Sequence, residues 1–151
     1  MKKIKNAIIG QSGGPTAVIN ASLAGVINKY LSLDNHGTIY GAVNGIKGLL
    51  RGDIIDLNGT FSDAENIELL KQTPSAYLGS CRYRLSENSN DEFEALEKFF
   101  KEKNIGYFFY IGGNDSMDTV FKLSKKFAEG NIKTIGIPKT IDNDLCSTDH
   151  T

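Results

Sequence analysis

The sequence contains no tryptophan, three prolines, two cysteines and two histidines in 151 residues, and it has almost no surplus charge of either sign. Each shortage removes a class of explanation. Cys81 and Cys146 form no CxxC pair, and His36 and His150 are too scattered to complete a zinc site, so neither a disulfide framework nor a structural metal organises the chain. With a formal net charge of -1 and lysines spread along both halves, no basic face is available to hold many nucleic-acid phosphates at once. The apolar run Ala7 to Ile9 behind Lys2, Lys3 and Lys5 is too short for a signal-peptide core or a membrane span, so a cytoplasmic protein is expected. At 40% hydrophobic and 23% charged, a chain of this length fits one domain with its own core.

What is present is a repeated strand-to-helix pattern. Residues 5–10 read as a short buried strand, and after a glycine-rich turn the apolar spacing of residues 17–31 suits a helix packed on a sheet. Residues 38–42 and 53–57 are further strand candidates, Asn44-Gly45 and Lys47-Gly48 read as turns, and residues 58–75 carry no clear pattern. Phe93, Leu96, Phe99 and Phe100 share a helical face within residues 90–102. The aromatic and β-branched run 106–111 is the strongest strand signal, followed by a helix over 118–128 and a strand over 133–137. The alternation predicts an α/β fold, a three-layer, mostly parallel Rossmann-like sheet with helices on both faces.

In such sheets ligands gather outside the carboxyl ends of the strands, and the polar motifs fall there. GQSGGPT follows the first strand, LGSCRYR follows an apolar segment ending at Leu78, GGNDS follows the aromatic strand, and PKTIDND follows the last. Gly13 and Gly14 allow backbone amides to approach an anion before a helix, although a tight turn would use the same residues. The first loop is neither GxGxxG nor a P-loop ending in Gly-Lys-Ser/Thr, which argues against NAD and the standard triphosphatase machinery. Arg82 and Arg84, two apart, would project to one side of an extended segment, and a guanidinium fork suits phosphate oxygens. In GGNDS, Asn114 offers an oxygen suited to magnesium and Asp115 brings negative charge that repels an adjacent phosphate. Asp115 or Ser116 would alternatively cap the next helix. Pro138 biases Ile137 toward extended backbone and so holds Lys139 near the strand end. Asp142 and Asp144, also two apart, give one carboxylate to accept a hydroxyl proton and another to contact hydrated magnesium.

GGNDS together with PKTIDND, GQSGGPTAVINA and LGSCRYR, in this order, resembles the phosphofructokinase family and in particular its pyrophosphate-dependent branch, over essentially the whole chain. The resemblance implies magnesium-dependent transfer of a phosphoryl group from pyrophosphate to the 1-hydroxyl of fructose 6-phosphate, giving fructose 1,6-bisphosphate. It assigns Asp142 as the base, Asp144 to the magnesium and substrate network, Thr140 to substrate positioning, and Lys139 and Arg82 to the donor. Gly13 and Gly14 fall in its anion loop, Asn114 beside the metal, directly or through water, and Asp115 and Ser116 on the donor side. ATP-using relatives carry glycines where this chain has Asp115 and Lys139. Residues 1–151 are thus expected to be an N-terminal phosphate-donor-binding domain, an incomplete subunit containing only part of the cleft, of a longer and homo-oligomeric enzyme. The alternatives are an ATP-dependent 6-phosphofructokinase, and a noncatalytic phosphate-binding fragment.

Overall fold

A computed structural model describes residues 4–86 and 88–140. The chain runs β1 (Asn6–Gln11), α1 (Ala17–Leu31), β2 (Ile39–Ala42), α2 (Gly45–Arg51), β3 (Ile54–Asp56), α3 (Ala64–Gln72), α4 (Asn90–Glu102), β4 (Ile105–Gly112), α5 (Asn114–Lys126), a short 3-10 turn and β5 (Lys133–Pro138). The five strands lie in the order β3-β2-β1-β4-β5. β1 pairs in parallel with both β2 and β4, β4 pairs in parallel with β5, and only the edge strand β3 runs antiparallel.

Alternation along the strands builds two cores. Ala7 and Ile9 of β1 face α1 and α3, where Ile19, Leu23, Ile27, Ile67 and Leu70 close one layer. Ile8, Phe108 and Tyr110 face the opposite side, packed under Ile46 and Leu49 of α2, Phe93, Leu96 and Phe100 of α4, and Leu123 of α5. The result is the expected three-layer α/β arrangement. No helix among the described residues is long and apolar enough to cross a membrane.

Several elements differ from the sequence expectations. α2 replaces the turn expected at Lys47-Gly48: a Cβ on Gly48 would sit 1.6 Å from the Val43 carbonyl oxygen, so this glycine allows the helix to touch the chain that enters it. α3 fills part of the unpatterned stretch, started by Asp63, whose side chain accepts from Glu65 N–H at 2.9 Å. α5 begins at Asn114 rather than residue 118, and its N-cap is Gly113, with no side-chain cap. Asp115 and Ser116 therefore lie in the first turn and neither caps it, and an acidic group at that position is favoured by the helix dipole. The apolar segment ending at Leu78, which leads into the LGSCRYR loop, has no regular structure.

Phe100 is fully buried and meets both Phe108 and Phe127 at ring-centroid distances of 5.5 Å. Phe100→Ala should lower unfolding free energy by about 3–5 kcal/mol. Leu69→Ala, on an exposed face of α3, should stay within about 0.5 kcal/mol. Urea denaturation of both variants checks the placement of the core.

Candidate active site

The site begins with a segment that has no ladder of its own. Residues 73–78 cross the end of α1 without regular structure, so their backbone groups need other partners. Gln11 and Asn20, both buried, provide them. Asn20 Nδ2 donates to the Thr73 and Ser75 carbonyls at 2.8 Å each, and its Oδ1 accepts from Tyr77 N–H at 2.9 Å. Gln11 Oε1 accepts from Leu78 N–H at 2.9 Å, while its Nε2 donates to Asn20 Oδ1 and the Ile19 carbonyl. Two side-chain amides thus carry the LGSCRYR loop to the end of β1.

The loops are then tied to one another. The Cys81 carbonyl accepts from Ser12 Oγ and from Gly13 N–H, each at 3.1 Å, and Ser80 Oγ donates to the Gly13 carbonyl. Gly13 adopts φ +76°, a left-handed conformation that costs glycine little. On the other side, Lys139 N–H donates to the Gly112 carbonyl at 3.1 Å, and Lys139 Nζ donates to the Gly14 carbonyl. Lys139 is 8% exposed, with its ammonium 3.1 Å from where a Cβ on Gly13 would stand. A cation is thereby seated beneath the glycine loop.

These ties enclose a cleft of about 540 Å³. Gly13 and Gly14 line one wall, with Arg82 and Arg84 beside them. Asn114, Asp115 and Ser116, from the first turn of α5, line another, with Lys139 and Thr140 entering from the end of β5. The described residues proposed from sequence are therefore gathered into one cleft. Asp142 and Asp144 lie outside the described residues. Among the described residues no cluster of three histidine, cysteine or acidic side chains is present, and the carboxylate and amide oxygens that line the cleft are those of Asp115 and Asn114, beside the hydroxyls of Ser12, Ser116 and Thr140.

The cleft is electrostatically mixed. Arg84 Nε stands 3.9 Å from Asp115 Oδ1 and 3.7 Å from Asp118 Oδ2, and Asp118 also takes Lys122 Nζ at 2.6 Å. Arg84 and Asp115 are 70% and 75% exposed, so their attraction orients the pair and adds little stability. At the rim the Tyr83 hydroxyl donates to the Glu92 carboxylate, and that bond, followed by partial burial, raises its pKa above the usual phenol value. Sequence reasoning missed Ser12, Ser80, Gln11 and Asn20. The signal available for the last two was an amide at the inward positions of a strand end and an apolar helix face.

The phosphofructokinase family model matches residues 6–151. The chain belongs to the phosphofructokinase family. It is 45% identical over 150 residues to a pyrophosphate--fructose 6-phosphate 1-phosphotransferase of Methylococcus capsulatus, with 96% of this chain and 35% of the relative covered. It is 43% identical over 146 residues to the enzyme of the same description from Rhodospirillum rubrum, again covering 95% of this chain and 35% of the relative. The crystal structure of a pyrophosphate-dependent phosphofructokinase from Nitrosospira multiformis superposes with a TM-score of 0.85 at 49% identity, over 97% of this chain and 36% of that one. The chain thus spans about a third of the length of these relatives.

Asn20→Leu would leave Thr73 and Ser75 carbonyls and the Tyr77 N–H without their partner. A fully buried orphan costs about 1–3 kcal/mol, and because Thr73, Ser75 and Tyr77 are exposed, water recovers part of this and the net loss is about 1 kcal/mol. The variant should be destabilised by that much in urea, with faster amide exchange at Tyr77 and Leu78. Unchanged exchange there would show that the amide does not hold the segment.

Proposed function

We propose that this chain is the donor-binding part of a magnesium-dependent enzyme that transfers a phosphoryl group from pyrophosphate to the 1-hydroxyl of fructose 6-phosphate. The observation that carries the reading is Lys139, a buried ammonium held under Gly13 and Gly14 while Asp115 occupies the facing wall of the same cleft. A compact diphosphate is complemented by a fixed cation and a glycine amide. An adenosine group would have to share the cleft with the Asp115 carboxylate and the Lys139 side chain.

In this reading Lys139 and Arg82 grip the donor oxygens, and the Gly14 amide approaches the terminal phosphates while the Gly13 amide, donating to the Cys81 carbonyl, shapes the loop. Thr140 orients the sugar phosphate, and Asp142 takes the proton of the attacking 1-hydroxyl as the new P–O bond forms and the bridging P–O bond of pyrophosphate breaks. Magnesium, held by Asn114 and Asp144 directly or through water, would supply positive charge to offset that on the transferring group. Ser116, buried at 4% exposure, supports the first turn of α5 behind Asp115. The working enzyme is read as a cytoplasmic homo-oligomer in glycolysis.

The full-length enzyme, assayed with both donors, should turn over fructose 6-phosphate with pyrophosphate and make little use of ATP. A large preference for ATP would overturn the donor assignment and leave the family membership intact. Lys139→Gly should lower pyrophosphate use by more than about tenfold, the scale of one lost charge-assisted contact. Unchanged kinetics would remove Lys139 from the donor site. Asp142→Asn should keep circular dichroism and pyrophosphate binding and lose about a hundredfold or more in turnover. Near-native turnover would remove it from the base role.

A further inference from the structure

Tyr110 lies in the middle of β4 and is fully buried, yet it carries a hydroxyl that the proposed chemistry leaves unused. Its ring stacks on Phe108 with centroids 5.5 Å apart, which fixes where the oxygen points. That oxygen accepts from Ile46 N–H at 3.4 Å, at the start of α2, and stands 3.9 Å from Cys81 Sγ. Cys81 is in turn tied to the first loop, its carbonyl accepting from Ser12 Oγ and from Gly13 N–H at 3.1 Å each. The packing around this point has no slack: a Cβ on Gly45 would fall 2.9 Å from the Tyr110 oxygen, 3.0 Å from Cys81 Sγ and 2.8 Å from the Gln11 carbonyl. Burial, and next the nearby Cys81 thiol, push the phenol pKa well above its usual value, so the hydroxyl stays protonated and able to donate.

We infer that Tyr110 is a positioning residue for the phosphate donor, its hydroxyl setting the height of the Ser12–Gly13 loop and the Cys81–Arg82 segment above the floor of the cleft. Three chain segments meet at this one oxygen, the start of α2, the arginine loop and β4 itself, and the Cys81 carbonyl ties the first loop to them. Gly112, two residues further along β4, accepts from Lys139 N–H. One strand therefore registers the glycine loop, the arginines and the lysine against each other, and phosphate grip is sensitive to such offsets. The inference rests on the proposed function for the identity of the donor, and on geometry alone for the loops.

In the full-length enzyme, Tyr110→Phe keeps the ring and removes the oxygen. The KM for pyrophosphate should rise about tenfold, with kcat and the KM for fructose 6-phosphate within about twofold. Phe100→Leu, in the same core but without a polar contact, is the control for packing loss: it should lower Tm and leave the pyrophosphate KM within about twofold. Amide hydrogen exchange without ligand should accelerate at Ser12–Gly14 and Ser80–Arg82 in Tyr110→Phe only. An unchanged KM for pyrophosphate, an equal rise in the control, or unaltered exchange in both loops would overturn the inference. Should the phenylalanine variant not fold, Cys81→Ala, which keeps the ring and removes one neighbour of the hydroxyl, is read by the same exchange measurement, with the same outcomes. If the unmodified enzyme does not use pyrophosphate at all, the donor reading fails by itself, and the exchange comparison still decides the role of Tyr110.

Discussion

The buried pairing of Gln11 with Asn20 is the constraint on which the cleft depends. A segment without regular structure has no ladder to fix its course, and residues 73–78, which run along the surface until Leu78 is buried, are held to the core by the side chains of these two buried amides. Gln11 stands at the last position of the central strand and Asn20 on the first turns of α1, so the segment is referenced to the most rigid part of the sheet. Everything that follows it in the chain, including Ser80, Cys81 and both arginines, inherits that position. In a low-dielectric setting a fully satisfied network of this kind fixes geometry, whereas a partly satisfied one would be costly.

A second level of organisation is the placement of charge. Lys139 is buried where the glycine loop turns, and a long side chain under a loop gives a fixed cation with little freedom left to lose when an anion arrives. Asp115 sits in the first turn of α5, favoured there by the helix dipole and beside Arg84, which also faces Asp118, itself paired with Lys122. The cleft therefore offers positive charge on its floor and negative charge on one wall. That combination suits a small, highly charged donor whose remaining charge is met by a metal ion.

Much of this was legible in the sequence, and the failures have physical causes. The ranges of α1 and α4 follow directly from apolar spacing, and β4 from its aromatic and β-branched run. Gly13, Gly14, Arg82, Asn114, Asp115, Lys139 and Thr140 come together because each follows a strand or its adjoining segment at one edge of a mostly parallel sheet. α2 was hidden because Gly45 and Gly48, which signal turns in isolation, are required by close backbone approach inside a helix. α3 was hidden because it buries only Ile67 and Leu70 along its length. The anchoring roles of Gln11, Asn20 and Tyr110 arise from tertiary contacts across 8 to 67 residues of sequence, which no local pattern encodes.

The central claim is that these loops form one pocket built for a diphosphate. A crystal structure of the full-length protein with bound pyrophosphate tests it most directly. The account predicts donor oxygens within about 3.2 Å of Lys139 Nζ and of the Gly14 amide, with the Arg82 guanidinium closing over them. Pyrophosphate bound outside this cleft, or inside it with Lys139 Nζ more than about 4 Å away, would contradict the account.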